Sequence, residues 1–172
     1  SDIIVSVDGC SAPVFAIPIY NAALAFARLA DPMSLPEKRA HACRTATTAM
    51  MAHPDMVAGP GRFDTRLMQL SSQRIFAKTG AEGYQAIGIL PDVLSPGSPG
   101  LGIALKVSDG DPHSRARPAV ILELLRLLGV LNADELFQLA EFGPQTDVKN
   151  QRQLTVGHGT PSFTATQIKL NL

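Results

Sequence analysis

Seven of the nine residues from Val120 to Leu128 are apolar, and at helical spacing they wrap nearly the whole circumference. Such a helix is buried on several sides, so the rest of the chain must supply elements to cover it. The candidates stand just upstream. Residues 74–78 and 84–90 are strand-like, and 101–107 alternates Ile103, Leu105 and Val107. Residues 91–100 form a turn-rich loop with Pro91, Pro96, Pro99, Gly97 and Gly100. The spacing therefore predicts an antiparallel hairpin of 84–90 with 101–107. A helix over about 115–129, ended by Gly129, packs on it, and a further helix covers about 133–141.

The first half reads differently. Residues 3–8 look like a short strand ending at Asp8-Gly9-Cys10. Ile19, Ala22, Ala23, Phe26 and Leu29 predict a helix over 18–30, opened by Pro18 and stopped by Asp31-Pro32. Ser34-Leu35-Pro36-Glu37 has the pattern of a capping box, opening a helix that runs to about residue 52 and ends at His53-Pro54. Residues 56–61 read as a loop and 63–70 as a short helix. The last thirty residues are polar, with weak strand signals around 154–156. No repeat is evident. The expected class is α+β, an antiparallel sheet with packed helices. Residues 1–172 form a single domain or the C-terminal portion of a longer one, with no internal boundary.

Composition narrows the function classes. At 172 residues with 45% apolar and 17% charged residues, the chain can build one core and is not disordered. Lys and Arg number 15, as do Asp and Glu, so no basic excess recruits nucleic acid. Asn21 and Arg28 interrupt one greasy stretch, Glu123 and Arg126 the other, so neither reads as a membrane span. Two cysteines make no disulfide framework and no secretory leader pattern is visible, so a cytoplasmic location is expected. The chain opens at Ser1 directly on a strand. That is expected of a polypeptide whose N-terminal segment has been removed, or of part of a longer one.

The triplet Lys78-Thr79-Gly80 closes one strand before the next. Lysine places a cation near a substrate carboxylate or a nucleophilic oxygen. A neighbouring hydroxyl can donate to the same carboxylate, and glycine lets a substrate approach the strand. Taken alone, the triplet reads as a solvated lysine before a turn. It stands, however, in a series: Asp8-Gly9-Cys10-Ser11-Ala12-Pro13, then Gly59-Pro60-Gly61-Arg62-Phe63-Asp64, then Lys78-Thr79-Gly80-Ala81-Glu82-Gly83, then Val107-Ser108-Asp109-Gly110-Asp111.

In order and spacing these segments resemble the L-asparaginase II family, the Rhizobium-type asparaginases, over about residues 3–130. The resemblance implies a fold like part of the serine β-lactamases and glutaminases, and hydrolysis of L-asparagine to aspartate and ammonia. It also implies a Ser-x-x-Lys nucleophile and a Cys-Ser-Gly-Lys-His segment in an N-terminal half. Neither occurs here: no serine of the chain is followed three residues later by lysine. The chain thus resembles the C-terminal half only, and the N-terminal half of the same protein is an expected partner, with a homodimer as another.

Carried over residue by residue, Lys78 is the catalytic candidate, orienting the substrate carboxylate or assisting proton transfer. Thr79, Gly80, Glu82 and Arg62 are the substrate-binding candidates. Glu82 would pair with the substrate ammonium, or else pin its own turn through backbone hydrogen bonds. Arg62 and Asp64 would hold substrate, or form an ion pair fixing the loop. Cys10 and Asp8 are the metal candidates, contributing to a zinc cluster that the chemistry itself does not require. Cys10 reads equally as a small buried hydrophobe at a strand end, and Cys43 as a core cysteine on the face of Ala40 and Thr47. Two other readings remain: a non-catalytic small-molecule-binding or interaction module of the same fold, and a glutaminase-like or β-lactamase-like hydrolase. A fold lacking half its partners should also expose apolar surface, and the helix over 120–128 is the expected place.

Overall fold

The structure, a computed structural model, describes residues 3–166. It is α+β with antiparallel sheets and six helices among the described residues. A hairpin of β1 (Ile4–Val7) and β2 (Pro13–Ala16) comes first. Helix α1 (Ile19–Ala30), a 3-10 turn at Pro32–Ser34, and helices α2 (Glu37–Ala52), α3 (Pro54–Ala58) and α4 (Phe63–Leu70) follow. The central sheet is β3 (Ile75–Thr79), β4 (Tyr84–Ile89) and β5 (Leu101–Lys106), ordered β3-β4-β5 and antiparallel throughout. Helices α5 (Ala116–Leu127) and α6 (Ala133–Gln138) and a second hairpin, β6 (Thr146–Lys149) with β7 (Thr155–Gly159), complete it.

The expected pairing of 84–90 with 101–107 is present as β4–β5, with Ile87 opposite Ile103 and Gly88 opposite Gly102. Successive side chains leave a strand on opposite faces. Phe76, Gly88 and Gly102 lie in one row across the sheet. A Cβ on Gly102 would sit 1.9 Å from the carbonyl oxygen of Ala23, so glycine there lets α1 lie directly on the strand. Phe26 of α1 stacks on Phe76, ring centroids 5.7 Å apart. The opposite face holds Thr79, Gln85, Ile87 and Ile103. Ile87 belongs to one buried cluster with Leu67 and Met68 of α4 and Ile121, Leu122 and Leu125 of α5.

Helix α5 ends where Gly129 was expected to end it. Gly129 takes φ 69°, and the Val130 amide donates to the Leu125 carbonyl at 2.9 Å, a Schellman closure. The expectation that this helix carries the exposed apolar surface is corrected. Ile121, Leu122 and Leu125 are fully buried, and exposure is confined to its end at Leu127 and Leu128. The open apolar surface lies instead on β1–β2, where Ile4, Val5, Val7, Val14 and Phe15 are all exposed.

Four local expectations also change. Ser34 ends the 3-10 turn and Pro36 is the N-cap of α2, with no side-chain cap, so Glu37 pairs with Arg44 at 2.6 Å instead of closing a box. Pro54 both stops α2 and occupies the first position of α3, so part of the expected 56–61 loop is helical. The genuine capping box is at α6, between Asn132 and Glu135, and the helix is shorter than 133–141. The weak strand signal at 154–156 is the start of β7. Among the described residues no helix is long and apolar enough to cross a membrane.

Candidate functional site

Two polar networks meet at the end of β3. The first lies beneath Thr79. Asp64, at the second position of α4, is almost completely buried. Its Oδ2 accepts from the Thr79 backbone amide at 2.6 Å and its Oδ1 from Gln85 Nε2 at 2.9 Å. Gln85, also buried, accepts at Oε1 from the Thr79 hydroxyl at 2.8 Å. The buried carboxylate has two hydrogen-bond donors, which offset the cost of burying it. Among the described residues no buried side-chain nitrogen or oxygen lacks a partner.

The second network holds the turn after Gly80. Asp111 takes the three N–H groups of Arg115, Ala116 and Arg117 at 2.8–3.0 Å and pairs with Arg117 Nε at 3.1 Å. Burial pushes its carboxyl up, but the Ala116 and Arg117 amides, the Arg117 guanidinium and the Arg115 amide outweigh burial, holding it below its ordinary value. Arg117 Nη1 then donates to the carbonyls of Gly80 and Tyr84, both at 3.3 Å. The start of α5 is thus tied to the β3–β4 turn. Within that turn Glu82 and Gly83 adopt φ 56° and 71°. The left-handed conformation is ordinary for glycine and uncommon for glutamate.

Two clefts open on these networks. The larger, about 720 Å³, includes Arg62, Asp64, Lys78, Thr79, His113 and Arg117 in its lining. The smaller, about 320 Å³, runs along Arg62, Thr79, Gly80, Glu82 and Arg117. The sequence candidates Arg62, Lys78, Thr79, Gly80 and Glu82 therefore surround one region, with Arg62 and Thr79 common to both clefts. Lys78 is exposed, and its Nζ donates to the Thr79 carbonyl at 2.6 Å. Arg62 and Asp64 do not form the expected ion pair: Asp64 is turned to Thr79 and Gln85, and Arg62 is exposed with no side-chain partner among the described residues. The Glu82 carboxylate does not pin its turn. Its backbone carbonyl, not its side chain, is engaged, by Lys106 Nζ.

Asp8 and Cys10 stand apart, in the β1–β2 turn, and line neither cleft. Asp8 Oδ1 accepts from the amides of Cys10 at 2.8 Å and Ala12 at 3.0 Å, a turn-closing role. Cys10 is exposed, not a buried hydrophobe, because no other element covers this hairpin among the described residues. Among the described residues no three His, Cys, Asp or Glu side chains converge as a metal site. Asp8 and Cys10 do not by themselves fit zinc, which takes four ligands in structural sites and at least three protein ligands in catalytic ones. Cys43 is half-buried beside Ala40 and Thr47, and both thiols are free.

Asp111, Arg117 and Gln85 were not singled out by sequence reasoning. The only signal was Asp111-Pro112 ahead of an apolar helix, an N-terminal cap pattern. Nothing local marks Arg117 or Gln85, whose partners lie far along the chain.

No curated protein matches the chain. The segments that converge on the clefts, from the Gly59-Pro60-Gly61 loop to the Gly110-Asp111 turn, all fall within residues 1–161, which the family model described as L-asparaginase II matches. That match covers most of the chain, which therefore belongs to the L-asparaginase II family of asparaginase-like amidohydrolases.

Proposed function

We propose that the protein is an amidohydrolase acting on L-asparagine, working in the cytoplasm, on a fold related to the serine β-lactamases and glutaminases. In this reading these residues hold the substrate and the Ser-x-x-Lys nucleophile comes from outside them. The observation that carries it is the pairing of two available cations on one cleft. Arg62 is uncommitted among the described residues, and Lys78 spends one of its three donors on the Thr79 carbonyl. A planar guanidinium beside an ammonium suits a carboxylate, through charge-assisted hydrogen bonds. Glu82, along the smaller cleft, supplies the opposite charge for an α-ammonium. A free amino acid meets both demands, and membership of the family of asparaginase-like amidohydrolases supplies the side-chain amide.

The exposed β1–β2 hairpin supports a covering partner, the N-terminal half of the same protein or a second copy in a homodimer. A zinc ion at Asp8 and Cys10 enters this reading only with further ligands from outside these residues, and no step is routed through it.

Calorimetric titration of L-asparagine, L-glutamine and a β-lactam into the 172-residue chain tests the substrate class. L-asparagine is expected to bind best, and Arg62→Ala or Lys78→Ala each to weaken it about tenfold, the worth of one charge-assisted hydrogen bond. Unchanged affinity in both variants would overturn the carboxylate assignment. The pure chain is expected to release no ammonia. Clear turnover would place the nucleophile within these residues.

A further inference from the structure

Hydrogen-bond polarity runs in one direction through the buried network and reaches the cleft at Thr79. An ionised carboxylate is only an acceptor. Asp64 therefore compels Gln85 to turn its NH2 group inward, as the 2.9 Å contact with Oδ1 requires. The Gln85 carbonyl then faces Thr79, where it can only accept, so the Thr79 hydroxyl proton is spent on it at 2.8 Å. The Thr79 amide is spent on Asp64 as well. What remains on the Thr79 side chain is oxygen lone pairs, which accept from no group among the described residues. Thr79 is half-buried and lines both clefts.

We propose that Asp64, acting through Gln85, fixes the Thr79 hydroxyl as an acceptor toward the cleft. The position beside it then takes an N–H donor of the substrate, its α-ammonium or its side-chain amide, and not its carboxylate. This reverses the role first expected of the hydroxyl, donation to a carboxylate beside Lys78. It rests on the reading of the cleft as an amino-acid amide site, and it divides the labour there: Arg62 and Lys78 take the anion, Thr79 the donor. Thr79 is the specificity residue, and Asp64 and Gln85 are positioning residues.

The relay can be inverted by one atom. In Asp64→Asn the side-chain oxygen must still accept from the Thr79 amide, so the new NH2 group faces Gln85. Gln85 then turns its carbonyl inward and its NH2 outward, and Thr79 receives a hydrogen bond and frees its proton for the cleft. The variant is nearly isosteric, so a merely structural role for Asp64 would weaken every ligand alike.

Three ligands distinguish the donors. L-asparagine has both, succinamate lacks the ammonium, and L-aspartate lacks the amide NH2. If the ammonium sits at Thr79, succinamate binds the native chain about tenfold more weakly than L-asparagine; if the amide does, L-aspartate is the weaker. Thr79→Ser is expected to keep that preference and Thr79→Val to reduce it, leaving only what Glu82 contributes to the ammonium. Asp64→Asn is expected to shift preference toward the ligand lacking the donor. Equal loss for all three ligands in Asp64→Asn overturns the relay. Neutron diffraction from the deuterated chain reads the same point without ligand: the Thr79 deuteron is expected on the line to Gln85 Oε1, and a deuteron pointing into the cleft overturns the proposal. Should none of the ligands bind, the substrate reading fails while the deuteron still decides the relay.

Discussion

The molecule contains two antiparallel units of similar apolar character and opposite fate. In the β3–β4–β5 sheet, Ile75, Phe76, Ala77, Ala86, Ile87 and Ile89 are fully buried. In the β1–β2 hairpin every residue is exposed, with Ile4 at 73% and Phe15 at 58%. The difference is one of neighbours, not of composition. The sheet has α1 against one face and the α4 and α5 side chains against the other. The hairpin is joined to α1 by only two residues, yet the packing surface of that helix is already used by β5. A two-stranded hairpin is marginal in water on its own. Stability should therefore reside in the three-stranded unit, together with the networks that shape the clefts.

The sharpest way to break this division is to empty the sheet core. Ile87→Ala removes a fully buried side chain packed between α4, α5 and the strands, and is expected to cost about 2–5 kcal/mol. Urea unfolding measures it, and a cost near zero would dissolve the distinction between the two regions. Next in size, Gly102→Ala drives a Cβ into backbone atoms of Ala23 and Ala27, which cannot swing aside, and should cost about 1–3 kcal/mol. Gly9→Ala in the hairpin turn meets nothing within 4 Å and serves as the matched control.

Asp111 sharpens the comparison through pH. Its carboxyl is held below the value it has in the unfolded chain, so the folded state binds the proton more weakly. The stability this contributes is full above the unfolded value of about 3.9 and is lost as pH falls through the lower, folded value. Asp111→Asn keeps a capping side chain but loses the charge opposite Arg117, and is expected to cost about 0.5–2 kcal/mol at neutral pH, the range of a helix cap. Thermal melts should converge with those of the parent as pH falls below about 4. A gap that stays constant across that range would mean the charge is not what Asp111 contributes.

Local signals carried most of this architecture, and long-range ones carried the site. The alternation of Ile103 and Leu105, the apolar run at 120–128 and the stop at Gly129 each state a local preference, and the fold honours them. The expected clustering of Lys78 with Arg62 and Glu82 came from the family's motif order, which already encodes a tertiary arrangement. What no local pattern states is the role of side chains whose meaning depends on distant partners, including Asp64, whose partners are Thr79 and Gln85 and not Arg62. Asp64 sits 21 residues from Gln85 and Arg117 sits 37 from Gly80. Their individual surroundings, an N-terminal helix position and a glutamine near the start of a strand, look ordinary. Proline is ambiguous in a specific way: Pro54 reads as a stop, although the same fixed φ also starts a helix.

The smallest expected effect is the most telling about the hairpin. Phe15→Ser removes a large aromatic side chain, a change that in a core would rank among the costliest. At 58% exposure, paired only with Val5 across the hairpin, it should shift the unfolding free energy of the chain by less than about 0.5 kcal/mol. Urea unfolding under the conditions used for Ile87→Ala makes the two losses directly comparable. The same substitution removes apolar area from the open face, so any self-association of the chain in sedimentation should weaken even as its stability stays level. A loss of stability approaching that of Ile87→Ala would mean that the hairpin packs in solution against something in the chain itself. The division between a self-sufficient sheet and an uncovered hairpin would then be wrong.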